Sequence, residues 1–307
     1  MTRPILILTN ERDFAADDVI RRLQPSGIGV TRLNIESART SAVRAWSPWS
    51  EMLDDELSTL VWWRQFELPE LAEDLSAADD ILVARSQWRT WLSTLARPHD
   101  IWVNDLWNAR RAENKIEQLR VARSVGFRLP RTIVTNDPEV AAEFRRQHRG
   151  AIVKTIASAY FELSDRSFVF TEMLDDRLLQ DSALWWDVPV LVQESLVEAT
   201  DARIISFGTE CFAACSRSKG SDWRKTPFDP ELWQPWQPPA ALARMCKQYR
   251  SRMGLEYAAF DFMVDDDGPL FLEANQAGEW LFLDRSVDLG VGDAFTDHLV
   301  RLSRRSP

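Results

Sequence analysis

The sequence predicts an α/β protein, and three observations carry that expectation. Short apolar runs alternate with helical periodicity over roughly the first hundred residues, the pattern of a parallel sheet with crossover helices. Later apolar runs are joined by short polar turns, as in antiparallel hairpins. At 307 residues and 45% apolar side chains, the chain can build about two domains with cores of their own.

Taken in order, Pro4 to Thr9 reads as a buried strand and Asp13 to Leu23 as an amphipathic helix. Val30 to Ile35, Thr59 to Trp63 and Ile101 to Val103 read as further strands, with helical pattern from about Pro69 to Leu95. Asn108 to Gly126 reads as one helix, closed by Gly126 and by Pro130 beyond it. Asp137-Pro138 opens another helix as N-cap and first-turn proline. Strands follow at Ala151 to Ile156, Ser167 to Glu172 and Val188 to Ser195, then a hairpin over Arg203 to Gly208 and Glu210 to Ser216. Pro239 to Met253 and Val287 to Leu302 read as the last helices, and the proline- and tryptophan-rich 221 to 239 is the longest irregular stretch.

Composition narrows the function. A net charge of −10 argues against a nucleic-acid binder. No stretch approaches the roughly 20 apolar residues of a membrane helix, and Pro4 to Leu8 is too short for a signal peptide. Cys211, Cys215 and Cys246 form no even framework, which predicts a cytoplasmic protein, and His99, His148 and His298 propose no zinc site. Only five of the 37 basic residues are lysine (115, 154, 219, 225 and 247), so the lysines as a group are enriched for places where a compact ammonium is needed, the alternative for any single one being chance survival.

The most informative stretch is Tyr257 to Trp280. It reads as two apolar strands around a three-residue turn, Asp266-Asp267-Gly268, which pairs Asp265 with Pro269 and sets Asp261 across from Glu273. Asn275, two residues on, shares the face of Glu273. Two carboxylates and an amide oxygen among phenylalanines are costly without a cation, and magnesium suits them, because it takes a few such oxygens and fills its other positions with phosphate and water.

With these elements in place the chain resembles the ATP-grasp ligases. The residues that carry the resemblance are Lys115 in NKIEQL, Lys154 in VKTIAS, the strand end VQESL, the D-x-R of Asp201 and Arg203, and the distal Asp261, Glu273 and Asn275. Within that superfamily the chain is similar to the graspetide (microviridin-type) peptide maturases over about residues 100 to 285. The stretches NDLWNARRAENKIEQLRVARSVGFRLPRTIVTN, VQESLVEATDARIISFG, DWR at 222 to 224 and LEANQAGEWLFLD support that, and VWWR at 61 to 64 adds to it. The loop TIASAY after Lys154 departs from the family in having no glycine.

The resemblance implies an N-terminal α/β pre-grasp domain over 1 to 107, a central α+β lid domain over 108 to 190, and a C-terminal ATP-grasp domain over 191 to 307. ATP phosphates would meet Lys115 and Lys154. The alternative for Lys115 is a helix-surface pair with Glu113 or Glu117. Gln193, Glu194 and Leu196 would form the adenine hinge, and Asp201, or Glu198 in second place, would take the ribose. Asp261, Glu273 and Asn275 would hold Mg2+. Arg203, Arg217 and Arg224 would handle the anions of an acyl-phosphate reaction. The implied activity is macrocyclisation of a ribosomal precursor peptide with a leader and an acidic core, by a homodimer, with no nucleic-acid or membrane partner. The rivals are a ligase of the ribosomal-protein glutamate ligase type and a nucleotide-binding interaction protein without turnover.

Overall fold

The computed structural model describes residues 2–38, 59–64, 78–93, 100–157, 171–181, 185–196, 199–219 and 230–305. Three sheets follow one another along the chain. The first is parallel, in the order β2 (Val30–Asn34), β1 (Ile5–Thr9), β3 (Leu60–Trp63), β4 (Ile101–Val103). Its crossover helix Phe14–Leu23 starts where the Asp13 carboxylate accepts the Ala16 N–H, and it buries Ala15, Ala16, Val19 and Leu23.

The second sheet is antiparallel, in the order β5 (Thr132–Thr135), β8 (Val190–Glu194), β6 (Ala151–Lys154), β7 (Glu172–Met173). The helix Pro138–Gln147 covers it, capped by Asp137 as the sequence predicts, and Ala141, Phe144, Val153, Trp185 and Val192 form its core. Strand β8 pairs wholly within this sheet, so the central layer runs past residue 190 to Glu194.

The third sheet, also antiparallel, runs β11 (Trp233–Pro235), β10 (Glu210–Lys219), β9 (Thr200–Phe207), β12 (Tyr257–Asp265), β13 (Gly268–Asn275). Alternation gives it two different faces. Ala202, Ile204, Phe260 and Phe262 point to the helices Lys115–Val125 and Ala240–Met253, in a core where Phe127 stacks on Phe271 at 5.3 Å. Ile205, Phe207, Tyr257 and Ala259 point the other way, to Trp62 of β3, Trp280 and Phe295. Each such large side chain taken fully from water contributes about 1.5–3 kcal/mol. One continuous core thus joins the first and third sheets.

Three expectations need correction. Residues 108 to 126 are two helices, Leu106–Ala112 and Lys115–Val125, because the Asn114 side chain accepts the N–H groups of Ile116 and Glu117 and begins a new helix. The closing helix, expected over Val287 to Leu302, runs Val291–Ser303, and a separate helix, Leu281–Val287, precedes it, the two parted by Asp288 and Gly290 in left-handed conformation. The hairpin turn has two residues, not three. Asp265 pairs with Gly268 (φ 108°), and the register then shifts at a bulge, so that Phe262 faces Phe271 while Asp261 faces Glu273. Leu272 is the unpaired residue. Were Leu272 paired with Asp261 in an unbroken ladder, Glu273 would lie opposite Phe260, on the core face. Among the described residues no helix is long and apolar enough to cross a membrane.

Candidate active site

Across the third sheet Arg203, Asp261 and Glu273 stand in one row, each paired with the next. Arg203 Nη1 donates to Asp261 Oδ1 at 2.7 Å, and Lys115 Nζ lies 3.8 Å from Glu273 Oε2. The charges therefore alternate in pairs: guanidinium, carboxylate, carboxylate, ammonium. Two like charges directly opposite on neighbouring strands repel, and the flanking cations offset that. The row sits where the apolar packing around Ile205 and Ala259 gives out.

The split helix explains how Lys115 arrives there. As the first residue after the Asn114 cap it sits at the helix N-terminus, and its side chain is only 11% exposed. Its pairing with Glu273 replaces the surface pairing with Glu113 or Glu117 considered above. Glu117 instead binds Arg111 and Arg120. Glu113 is held above the usual carboxylate range by burial, which Arg110 and a hydrogen bond from Gln276 only partly offset. Gln118 fixes the helix to β13: its Nε2 donates to the carbonyls of Ala112 and Ala274, and its Oε1 accepts the Ala274 N–H.

The second lysine belongs to the central sheet. Lys154 Nζ donates to Gln193 Oε1 at 3.2 Å, and Gln193 Nε2 donates to Thr132 Oγ1 at 3.0 Å. Gln193 is buried, so its side chain orients Lys154 from inside the sheet. Glu194 Oε1 accepts the Arg131 N–H, and the Leu196 carbonyl accepts the Ala199 N–H in the turn that leaves the sheet. The Lys115 N–H donates to the Ile156 carbonyl, which brings the loop after Lys154 against the helix carrying the first lysine.

Asp201 precedes Arg203 by two residues, shares its face and pairs with Met263. Asn275 faces Ala259, and its Oδ1 accepts the Ala277 N–H while keeping a second lone pair. Arg217 is exposed, in the part of β10 where the pairing with β9 slips. Arg224, Glu198 and the last three residues of TIASAY lie outside the described residues.

Magnesium fits the donor set: two carboxylates and an amide oxygen, all hard ligands, beside lysines suited to phosphate. Among the described residues no group of three His, Cys, Asp or Glu side chains is placed to hold a metal ion.

Sequence reasoning passed over one cluster. Arg64, Asp13 and Glu279 meet behind the row, with Arg64 Nε 2.9 Å from Asp13 Oδ2 and Nη2 2.7 Å from Glu279 Oε2. Burial alone would raise the Asp13 pKa, but the Arg64 charge and hydrogen bonds from Arg64, Thr9 and Ala16 outweigh it and hold it below the usual range. The available signal was an arginine ending an apolar strand in VWWR.

No family model matches the chain, and no curated protein does. Solved structures do. The macrocyclase MdnC from Microcystis aeruginosa MRC, bound with precursor peptide MdnA, superposes with a TM-score of 0.82 at 23% identity, over 97% of this chain and 99% of that one. A RiPP-associated ATP-grasp ligase from Chryseobacterium gregarium, in complex with ADP and a leader and core peptide, gives 0.79 at 23% identity, over 99% and 98%. The ATP-grasp ligase PsnB complexed with minimal precursor gives 0.79 at 18%, over 98% and 99%. With both lysines, the D-x-R strand and the distal carboxylates in place along that length, the fold of this chain is the ATP-grasp ligase fold.

Proposed function

We propose that this chain is an ATP-dependent macrocyclase that joins Asp or Glu side chains of a ribosomal precursor peptide to Ser or Thr hydroxyls, or to Lys amines, as ω-esters or ω-amides. The observation that carries the reading is the Lys115–Glu273–Asp261–Arg203 row, set in a fold whose full-length neighbours are bound to precursor peptides. Three domains, with the boundary expected at 190 moved past Glu194 because β8 belongs to the central sheet, a cytoplasmic setting and a homodimer belong to the same proposal.

The chemistry has two balanced steps. A peptide carboxylate oxygen attacks the γ-phosphorus of ATP, the bond to the β–γ bridging oxygen breaks, and ADP leaves. A hydroxyl or amine then attacks the acyl carbon, the bond from carbon to the phosphate oxygen breaks, and the nucleophile's proton passes to solvent or to the departing phosphate. Lys115 and Lys154 would hold the triphosphate as point charges. Gln193 keeps Lys154 in place, while Glu194, Leu196 and Asp201 would face the adenosine. Asp261, Glu273 and Asn275 would hold Mg2+, which when bound neutralises phosphate charge. Arg203 would offset the repulsion between the incoming carboxylate and the polyphosphate, using donors that Asp261 does not occupy. Arg217 and Arg224 would steer the acidic core.

Mass spectrometry tests this. Acidic peptides encoded by short reading frames flanking the gene are incubated with the protein, ATP and magnesium. Loss of one water's mass per ring is expected, with fragmentation blocked between an acidic residue and a Ser, Thr or Lys. Mass gain in the presence of free glutamate would overturn macrocyclisation in favour of amino-acid ligation.

A further inference from the structure

The loop Gln276 to Glu279 contributes nothing to the proposed steps, yet its backbone is held at Gln276, Ala277 and Gly278 and its last residue by the Glu279 carboxylate. Asn104 Nδ2 donates to the Gln276 carbonyl at 2.8 Å, and Tyr257 Oη to the Gly278 carbonyl at 2.6 Å. Arg64 Nη1 reaches the carbonyls of both Ala277 and Gly278 at 3.4 Å, and Arg64 Nη2 binds the Glu279 carboxylate. The other oxygen of Glu279 accepts the N–H groups of Trp280 and Leu281.

Two of these holding groups come from one edge of the first sheet. Arg64 directly follows β3 and Asn104 directly follows β4, while Asp13, which grips Arg64, lies just past β1. In the order β2-β1-β3-β4 the strand connections reverse direction between β1 and β3. The crevice at the carboxyl ends of strands beside such a point is where open α/β sheets take ligands. Here the chain's own loop fills it. Arg64 has a side chain 1% exposed and lies 4.7 Å from the Trp280 ring centroid and 5.5 Å from that of Trp62. A guanidinium so enclosed is a poor source of stability compared with apolar packing, so its use lies in orientation.

What it orients is one residue away. A Cβ built on Gly278 would stand 2.4 Å from Ala259 Cβ, 2.8 Å from Arg203 Nη2 and 3.3 Å from Asn275 Cβ. Gly278 is thus a wall against the Arg203 guanidinium, whose Nη1 is held from the other side by Asp261 and whose buried Nε has no hydrogen-bond partner among the described residues.

We propose that Arg64 is a positioning residue for Arg203, acting through Gly278, so that the first sheet sets the angle at which Arg203 meets the reacting anions. The role in turnover rests on the macrocyclase reading; the positioning itself does not.

Arginine footprinting with phenylglyoxal, mapped by mass spectrometry, tests the positioning without any substrate. Arg203 should resist modification in the wild type and react about tenfold faster in Gly278→Ala, in Tyr257→Phe and in Arg64→Met combined with Asp13→Asn, with the Arg128 rate unchanged as the control. Tyr257→Phe keeps the ring and removes one hydrogen bond, so it stays informative if Gly278→Ala fails to fold. In peptide turnover the same variants should lose about tenfold in kcat while KM for ATP stays within about twofold. An unaltered Arg203 footprint in folded Tyr257→Phe and in the double variant overturns the proposal. An altered footprint, in a protein whose wild type leaves every flanking peptide unchanged, upholds the positioning and sinks the macrocyclase reading alone.

Discussion

Arg203 Nη1 and Asp261 Oδ1 face each other at 2.7 Å across β9 and β12, so a carboxylate proposed for magnesium is already partnered by a cation proposed for the substrate. The two roles would therefore be coupled, since Asp261 would share its charge between Arg203 and a bound magnesium. Asp261→Asn should weaken binding of an ATP analogue with magnesium by at least about tenfold and leave its metal-free binding unchanged. Isothermal titration with and without magnesium reads this directly, and equal weakening in both would place Asp261 outside the metal site.

Glu273→Gln keeps size and shape but removes the charge that faces Lys115 and Asp261. Turnover should fall by about a hundredfold or more, with far-ultraviolet circular dichroism unchanged, because the lost charge would act in the phosphoryl-transfer step. ADP release near the wild-type rate would remove Glu273 from the mechanism.

Gln118→Met should cost about 1–3 kcal/mol of stability, since it strips hydrogen bonds from a buried strand end at Ala274. Urea denaturation measures it. Methionine fills the volume, so a smaller loss would mean that water replaces the amide.

The pH dependence has a definite sign. Asp13 has its pKa below the unfolded value of 3.8, since Arg64 and the other hydrogen bonds outweigh burial. Its contribution is therefore complete above the unfolded value and is lost as pH falls through the lower, folded one. The urea midpoint of Asp13→Asn should accordingly lie below wild type at neutral pH and converge with it in acid. A constant gap down to about pH 2 would contradict the ion pair.

Burial pushes the Cys211 thiol up to about 11 and raises Cys246 well above the ordinary thiol value. Neither should be alkylated by iodoacetamide in the folded protein at neutral pH, and both should react in denaturant. Peptide mapping distinguishes them from Cys215.

Much of the architecture was legible because it is written in local periodicity. The parallel layer and the Asp137-Pro138 helix start follow from apolar spacing and capping chemistry, whereas Asp261 faces Glu273 because the bulge at Leu272 offsets a turn one residue shorter than expected. What stayed hidden depended on competition between local signals or on distant partners. Asn114 lies inside a continuous helical pattern, and only its side chain folded back on Ile116 and Glu117 shows that one helix has ended and another begun. Arg64, Asp13 and Glu279 are far apart in the chain and share no periodicity, so nothing before the fold joins them. The partners of Gln193 were hidden for the same reason: only the pairing of β5, β8 and β6 brings its amide to Thr132 and Lys154.

The unpaired Leu272 has a consequence for how relatives of this chain should be aligned. Between Asp261 and Glu273 the hairpin leaves three residues out of the ladder, Asp266 and Asp267 at the tip and Leu272 along the strand. A three-residue tip with an unbroken strand would leave the same number out and set the same carboxylates face to face. The chemistry constrains only that Asp261 and Glu273 pair; where the residues between them leave the ladder is free. Gaps in an alignment should therefore wander between Asp266 and Leu272 while the columns at either end stay locked. Loss of one residue from that total would leave a two-residue tip on an unbroken ladder with the same carboxylates face to face, so a relative one residue shorter there should keep catalysis.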